Sequence, residues 1–282
     1  MKFKIRQTVF SRDLSGKIVG DENSFANYVS SFDNADSTCI VFYSGGSIDE
    51  VLDNSAKIII VDENLAVADH PIKDKAIVAC KNPLSLFVDI ISKDYDNKNE
   101  SFFRDLDFTA KNNISIGKNS YISGNVTICK NTVIGCECRI QPSSVIGSVG
   151  LAYADNGNLV KTRFPHLGGV IIGDNVDIGA NVTIVKGILQ NTTIGSNTRI
   201  GNNVNIGHNV HIGKNCFISS GVTLAGSVVI EDDCWISPSV TVNNKVTIKR
   251  KSFIAIGSLV NKDTVERGFY AGSPARKIKD VK

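Results

Sequence analysis

Many of the marks that would place this 282-residue chain in a class of protein are absent from it. It has no basic run and no interleaving of basic with aromatic residues. Its 31 Lys and Arg against 28 Asp and Glu leave a formal net charge of only +3, so a nucleic-acid-binding protein is not expected. The opening segment MKFKIRQTVFSRDLSGKIVG scatters charge where a signal peptide needs a continuous apolar stretch, and no later uncharged apolar run is long enough to span a bilayer. The expectation is a soluble, cytoplasmic protein without a membrane span. The seven cysteines are odd in number and irregular in spacing, and none forms a CxxC pair; CEC at 136–138 is too tight for a tetrahedral site on one strand. They read as thiols kept reduced in the cytosol. Histidine is scarce, with only His70, His166, His208 and His211.

What the chain does have is a period. Aliphatic residues recur every six positions from Ile116 to Ile146, again at Ile172, Ile178 and Ile184, and from Ile194 through Leu224 to Val260. Four residues after each comes a small or β-branched side chain, as at Val126, Thr132, Cys138, Val182, Cys216 and Cys234. Neither a helix nor a flat sheet has a period of six. One large and one small inward position per hexad describe a short strand and a tight corner, and three hexads close a triangular coil in which residues eighteen apart stack. The fold expected is mainly β, a parallel β-helix, with Cys138, Cys216 and Cys234 as core fillers. Gly often follows the aliphatic and Asn is frequent beside it, which predicts corners that need unusual φ.

The period fails twice. A Gly- and Asn-rich excursion spans 148–168, and extra residues, VKGILQNTT, bulge out between Ile184 and Ile194. Insertions in a repeat array tend to decorate one face, often the functional one. Residues 1–110 lack the hexad; CIVFYS (39–44), KIIIV (57–61) and KAIVAC (75–80) predict buried strands, and 82–95 an amphipathic helix capped by Asn82 with Pro83 first. Three parts are expected: a small α/β domain at 1–110 as a candidate nucleotide-binding unit, a β-helix at 111–262, and a tail at 263–282 that leaves the helix as a Gly/Pro turn with a basic end.

The hexads, with KNPLSLF, VIGSVGLAYADNGNLVK, LGGVIIGDNVDIGANVTI and NIGHNVHIG followed by LAGSVVI, resemble the left-handed β-helix acyltransferases. The order of parts resembles the UDP-3-O-acylglucosamine N-acyltransferase family of lipid A synthesis. There are departures from that family: Val149 stands where it has Asp, VKGIL (185–189) where it has DRGAL, and Asn243-Asn244-Lys245 where it has a second active-site histidine. The tail GFYAGSPARKIK (268–279) resembles instead acetyltransferases that use coenzyme A, some of which act on nucleotide-linked amino sugars of O-antigen and glycan pathways. Together the resemblances imply transfer of a short acyl group, acetyl or hydroxybutanoyl, from acyl-coenzyme A as co-substrate to the amine of a nucleotide-linked amino sugar. Lipid A N-acylation from an acyl carrier protein, O-acylation, and a non-catalytic β-helix scaffold are the competing readings.

Amide formation from a thioester needs a base for the attacking amine and donors for the oxyanion. Imidazole suits the first task. His208 falls at a corner, and eighteen residues on is Gly226, one coil up; the resemblance implies that its amide holds the oxyanion. His211 precedes an inward Ile and faces outward, as a solvated or site-wall residue. A histidine pair suggests zinc, but zinc needs three convergent ligands, so no metal is expected. By resemblance, Gly272, Ser273, Pro274, Arg276 and Lys277 flank the coenzyme A adenine and phosphates, and Phe42 matches an aromatic that stacks on uracil, with a core Phe as the alternative. Tyr153, His166 and Asn181 are candidates to shape the sugar pocket by their position near the excursion. Flat faces hold no deep pocket, and family members are trimers with the site between subunits, so a homotrimer is expected.

Overall fold

An aliphatic side chain at every sixth residue can be buried only if the backbone turns a corner after each one. The computed structural model of the chain, which describes residues 1–65, 72–94, 113–155 and 161–281, shows it doing so. The protein is mostly β and falls into two compact units. Among the described residues, one unit takes 1–94 together with 151–155 and 161–167, and the other takes 113–150 and 168–281.

The larger unit is a parallel β-solenoid of seven coils. The strands of each coil pair in parallel with those of the next and form three faces. On the first face Thr193–His211–Val229–Thr247 stand in register, on the second Arg199–Phe217–Trp235–Phe253, and on the third Asn205–Thr223–Thr241–Leu259. The residue after each of these points inward: Ile194, Ile206, Ile212, Ile218, Leu224, Ile230 and Ile236 are at most 2% exposed. Removing each from water is worth roughly 2 kcal/mol. Cys138, Cys216 and Cys234 lie in the same core.

The corners divide their labour differently from the expectation. Apart from Gly147 (φ 86°), the glycines that follow the aliphatics are not where the backbone turns left-handed. That conformation falls two residues later, mostly on Asn, as at Asn119, Asn181, Asn197, Asn203, Asn209 and Asn215 (φ between 52° and 62°). Asn tolerates it better than most residues because its short polar side chain bonds locally. The glycine is needed instead for closeness: a Cβ on Gly207 would sit 2.8 Å from the Gly226 nitrogen of the coil above. The eighteen-residue step lengthens to twenty-two where the second insertion enters, so Asp177 pairs with Arg199 and Thr183 with Asn205.

The tail does not leave the solenoid. Gly268–Gly272 adds to the second face beside Phe253–Ile254, and Ala275–Asp280 folds back on it antiparallel. Tyr270 and Ala275 close the core at that end.

In the smaller unit β1 (Lys2–Phe10), β2 (Lys17–Gly20), β3 (Phe25–Ser30), β4 (Cys39–Phe42), β5 (Ile58–Asp62) and β6 (Ala76–Cys80) form one sheet in the order β1-β3-β4-β5-β6-β2. β3 to β6 run parallel, with antiparallel strands at both edges, and β4, β5 and β6 fall on the three runs expected to be buried strands. The polar, irregular sequences of β1 to β3 carry no such signal. α1 (Ile48–Asp53) is short, and α2 (Pro83–Asp94) is capped by Asn82, whose Oδ1 accepts the Ser85 N–H at 3.0 Å. The excursion's hairpin, Tyr153–Asp155 paired with Lys161–Arg163, packs on α2. Phe164 meets Phe87 edge to face at 6.4 Å. His70 lies outside the described residues.

Candidate functional site at the third corner

Every departure from the repeat emerges at one corner, the one joining the third face to the first. The excursion begins after Val145–Ser148 and ends before Val170–Ile172; the second insertion lies between Thr183–Val185 and Thr192–Ile194. His208 sits at this corner one coil further on, between Asn205–Ile206 and His211–Ile212, and Gly226 one coil beyond that.

The structure brings His208 and Gly226 together. A Cβ on Gly226 would lie 2.5 Å from His208 Nε2 and 2.7 Å from Cε1, so only glycine leaves room for the ring where it stands. The backbones are joined as well, with Ser227 N–H donating to the His208 carbonyl at 2.8 Å.

The equivalent position at other corners shows how such an N–H can be closed off. Two residues past the inward aliphatic, the backbone N–H is at several corners taken by a side chain of the coil above. Cys136 N–H donates to Asp174 Oδ1 (2.7 Å), Asp174 N–H to Ser196 Oγ (3.0 Å), Ala180 N–H to Asn202 Oδ1 (2.8 Å) and Lys214 N–H to Asp232 Oδ1 (2.7 Å). Gly226 accepts the Lys245 N–H through its carbonyl at 3.1 Å, but among the described residues its own N–H has no partner. A donor left open beside an imidazole is what a developing oxyanion requires.

Asn209 is the residue that sequence reasoning missed. Its Oδ1 lies 3.0 Å from His208 Nδ1 and accepts the Ile188 N–H at 3.1 Å, while its Nδ2 donates to the Gln190 carbonyl at 3.4 Å. A backbone N–H and a backbone carbonyl at opposite ends of the amide fix which end is oxygen. Facing an acceptor, Nδ1 must carry the ring proton, which makes Nε2, the nitrogen over Gly226, the basic one. Both backbone partners belong to the second insertion, Lys186–Asn191, which is held in turn by Gly168 N–H donating to the Ile188 carbonyl (2.9 Å) and Gly169 N–H to Asn191 Oδ1 (2.8 Å). The sequence signal was available: an insertion twenty-odd residues before the histidine falls one coil below it.

The other sequence candidates fall elsewhere. His211 is exposed on the first face, its Nδ1 hydrogen-bonded to Thr193 Oγ1. Asn181 is an exposed left-handed corner residue, and that conformation alone accounts for asparagine there. Phe42, Tyr153 and His166 belong to the smaller unit. Phe42 packs its ring on the buried Phe87 at 5.1 Å, Tyr153 is exposed on the hairpin, and His166 is 1% exposed with Nδ1 3.2 Å from the Phe164 carbonyl. Gly272 takes a left-handed φ of 99° at the tip of the terminal hairpin, with Ser273, Pro274 and Arg276 exposed and Lys277 paired to Asp280 at 2.7 Å. That hairpin extends the second face, which does not border the third corner, so within one chain it is not brought to His208.

Comparisons with known proteins point the same way as the repeat. Residues 191–226, which include both His208 and Gly226, match the model for bacterial transferase hexapeptide (six repeats). A UDP-3-O-acylglucosamine N-acyltransferase of Alkalilimnicola ehrlichii is 38% identical over 64 residues, 22% of this chain and 18% of that protein. One from Francisella tularensis subsp. holarctica is 39% identical over 69 residues, 24% of this chain and 20% of that one. The aligned chain thus spans about a fifth of the length of these curated relatives. Among solved structures, the UDP-N-acetylglucosamine acyltransferase of Francisella novicida matches with a TM-score of 0.54 and 31% identity over 60% of each chain. By its repeat, its coils and these matches, the chain carries the bacterial transferase hexapeptide repeat over residues 191–226 and is similar to the acyltransferases built on such coils.

Proposed function

We propose that the chain is an acyltransferase that moves an acyl group from a thioester to the amine of a nucleotide-linked amino sugar. The observation that carries this is the third corner, where an imidazole of fixed tautomer is set against an open backbone N–H. His208 Nε2 takes a proton from the amine as its nitrogen attacks the thioester carbon, and Gly226 N–H donates to the oxygen as it gains charge. The C–S bond then breaks, and the proton held by His208 passes to the departing thiolate. Amide and thiol are the products, so protons and electrons balance. A hydroxyl acceptor would use the same base; the curated relatives carry an N-acyltransferase name, and the amine reading follows them.

Two donors fit this chemistry. The names of the relatives favour a UDP-linked 3-O-acylglucosamine as acceptor, and with it the lipid A reading with an acyl carrier protein as donor. A short acyl group from coenzyme A rests on the tail's likeness alone. Under that reading Arg276 and Lys277 of a neighbouring chain would meet the phosphates, because within one chain the hairpin lies on the face away from His208.

The site is shared in this account. The outward rows flanking the third corner carry no Lys, Arg, Asp or Glu, with Val133, Ile171, Thr193, His211, Val229 and Thr247 on the first face and Val145, Thr183, Asn205, Thr223, Thr241 and Leu259 on the third. The second face carries Asp177 between Arg139 and Arg199. Uncharged flat faces on both sides of the corner suit association of three chains around three equivalent clefts. The cysteines form no disulfide, which fits a reducing cytoplasm.

The test is a panel of UDP- and other nucleotide-linked amino sugars against acyl-coenzyme A and acyl carrier protein thioesters, followed by thiol release and the mass of the product. An acylated nucleotide sugar from the long-chain carrier alone selects the lipid A reading. Product from acetyl- or hydroxybutanoyl-coenzyme A alone selects the other, and no product from any pair refutes the proposal.

A further inference from the structure

The second face has a feature that the transfer reaction does not use. Phe217, Trp235, Phe253 and Phe269 occupy one outward row across four successive levels of the solenoid. Their rings stack nearly parallel, with centroids 4.2, 6.1 and 5.1 Å apart and interplanar angles of 11°, 6° and 10°. Stacking consumes the ring faces and turns the edges outward, which excludes a platform for planar ligands. The stripe is exposed nonetheless, Phe217 by 38% and Trp235 by 44%. Two further aliphatics are exposed, Ile256 at the corner after Phe253–Ile254 and Ile278 on the terminal hairpin.

Charge frames this stripe with one sign in excess. Lys251 and Arg267 stand two residues before Phe253 and Phe269, at exposed corner positions, and Lys279 Nζ lies 5.3 Å from the centre of the Phe269 ring. Arg250 is shared between Asp233 (3.5 Å) and Glu266 (3.7 Å), and Lys277 serves Asp280 (2.7 Å), so Arg250, Lys251, Arg267, Lys277 and Lys279 stand against Asp232, Asp233, Glu266 and Asp280. Among the described residues Lys251, Arg267 and Lys279 form no ion pair. Exposed aromatic edges including Trp, on a flat face bordered by surplus cations, match what an anionic bilayer surface offers, apolar depth at the headgroup level and negative charge around it.

We propose that this stripe seats the protein on an anionic lipid surface. The inference is independent of the transfer chemistry, whose corner lies away from this face. Trp235 is the only tryptophan in the chain, so intrinsic fluorescence of the full-length protein reads the stripe alone. Titration with phosphatidylcholine vesicles containing phosphatidylglycerol shifts the emission to the blue and sediments the protein, added salt reverses both, and phosphatidylcholine alone does neither. Lys251→Glu with Lys279→Glu, checked for an unchanged melting temperature, lowers partitioning by roughly 25-fold or more, about fivefold for each basic residue lost near the surface. No shift with the anionic vesicles overturns the proposal, as does equal binding to both lipids. An emission already blue-shifted without lipid, moving to the red on dilution, also overturns it, because a second copy of the chain then covers the stripe.

Discussion

Asn209 and Gly226 serve the same imidazole in different ways. Gly226 leaves the ring its place; Asn209 decides which nitrogen is basic. Gly226→Ala changes no left-handed backbone, since Gly226 is not in that region, but it sets a Cβ 2.5 Å from Nε2 and must push the ring aside. A displacement of an ångström at a reacting atom costs about 10²-fold, so kcat falls by about that factor while the melting temperature stays near that of the parent. Asn209 is left-handed, with φ 59°, so Asn209→Gly keeps the backbone and deletes only the amide. Activity then drops roughly 10- to 100-fold, the range seen when an outer group that orients an imidazole is removed from a metal site, with the loss in kcat rather than KM. A purely structural role would move the melting temperature instead.

At the scale of elements, legibility followed from which physical constraint each segment obeys. The coils were readable because a side chain buried at every sixth position has almost no other solution, and the parallel strands β4 to β6 because both their faces are buried. Strands β1 and β2 were not, because an edge strand with one solvated face carries a weak pattern, nor was the inner β3, which is only partly buried along FANYVS. The tail was misread for a local reason: GFYAGSPARKIK looks like a turn, and it is one, but Gly268–Gly272 and Ala275–Asp280 around it pair as strands and cap the core with Tyr270. His208 and Gly226 could be matched by counting eighteen, whereas Asn209's role depends on an insertion whose path no periodicity describes. In the smaller unit, the edge of the sheet carries a testable charge. A hydrogen bond from the Lys2 ammonium, then those from the Thr38 hydroxyl and N–H, hold the Asp36 carboxyl well below the usual carboxylate range. A carboxyl depressed in the folded state stabilises fully above its unfolded pKa, near 3.9, and loses that contribution as pH falls towards the folded value. Asp36→Asn therefore lowers the urea midpoint at neutral pH, and the gap from the parent closes in acid.

For the whole molecule the account requires more than one chain. Under the proposal, the uncharged rows on either side of the corner pack against neighbouring chains. Sedimentation at working concentration gives the mass of three chains. A Thr223→Glu, Thr241→Glu pair, which buries carboxylates in such an interface, reduces the mass to one chain and abolishes turnover; a monomer that keeps full activity removes the shared cleft from the account. No described helix is long and apolar enough to cross a membrane.

The claim on which the rest depends is that the His208 imidazole moves the proton in acyl transfer at the third corner. Turnover of a UDP-linked amino sugar with an acyl thioester, measured side by side for the parent and His208→Ala, tests it directly. The account predicts a loss of about 10²- to 10⁴-fold with mass and melting temperature unchanged; a His208→Ala protein that acylates the sugar as fast as its parent would contradict it.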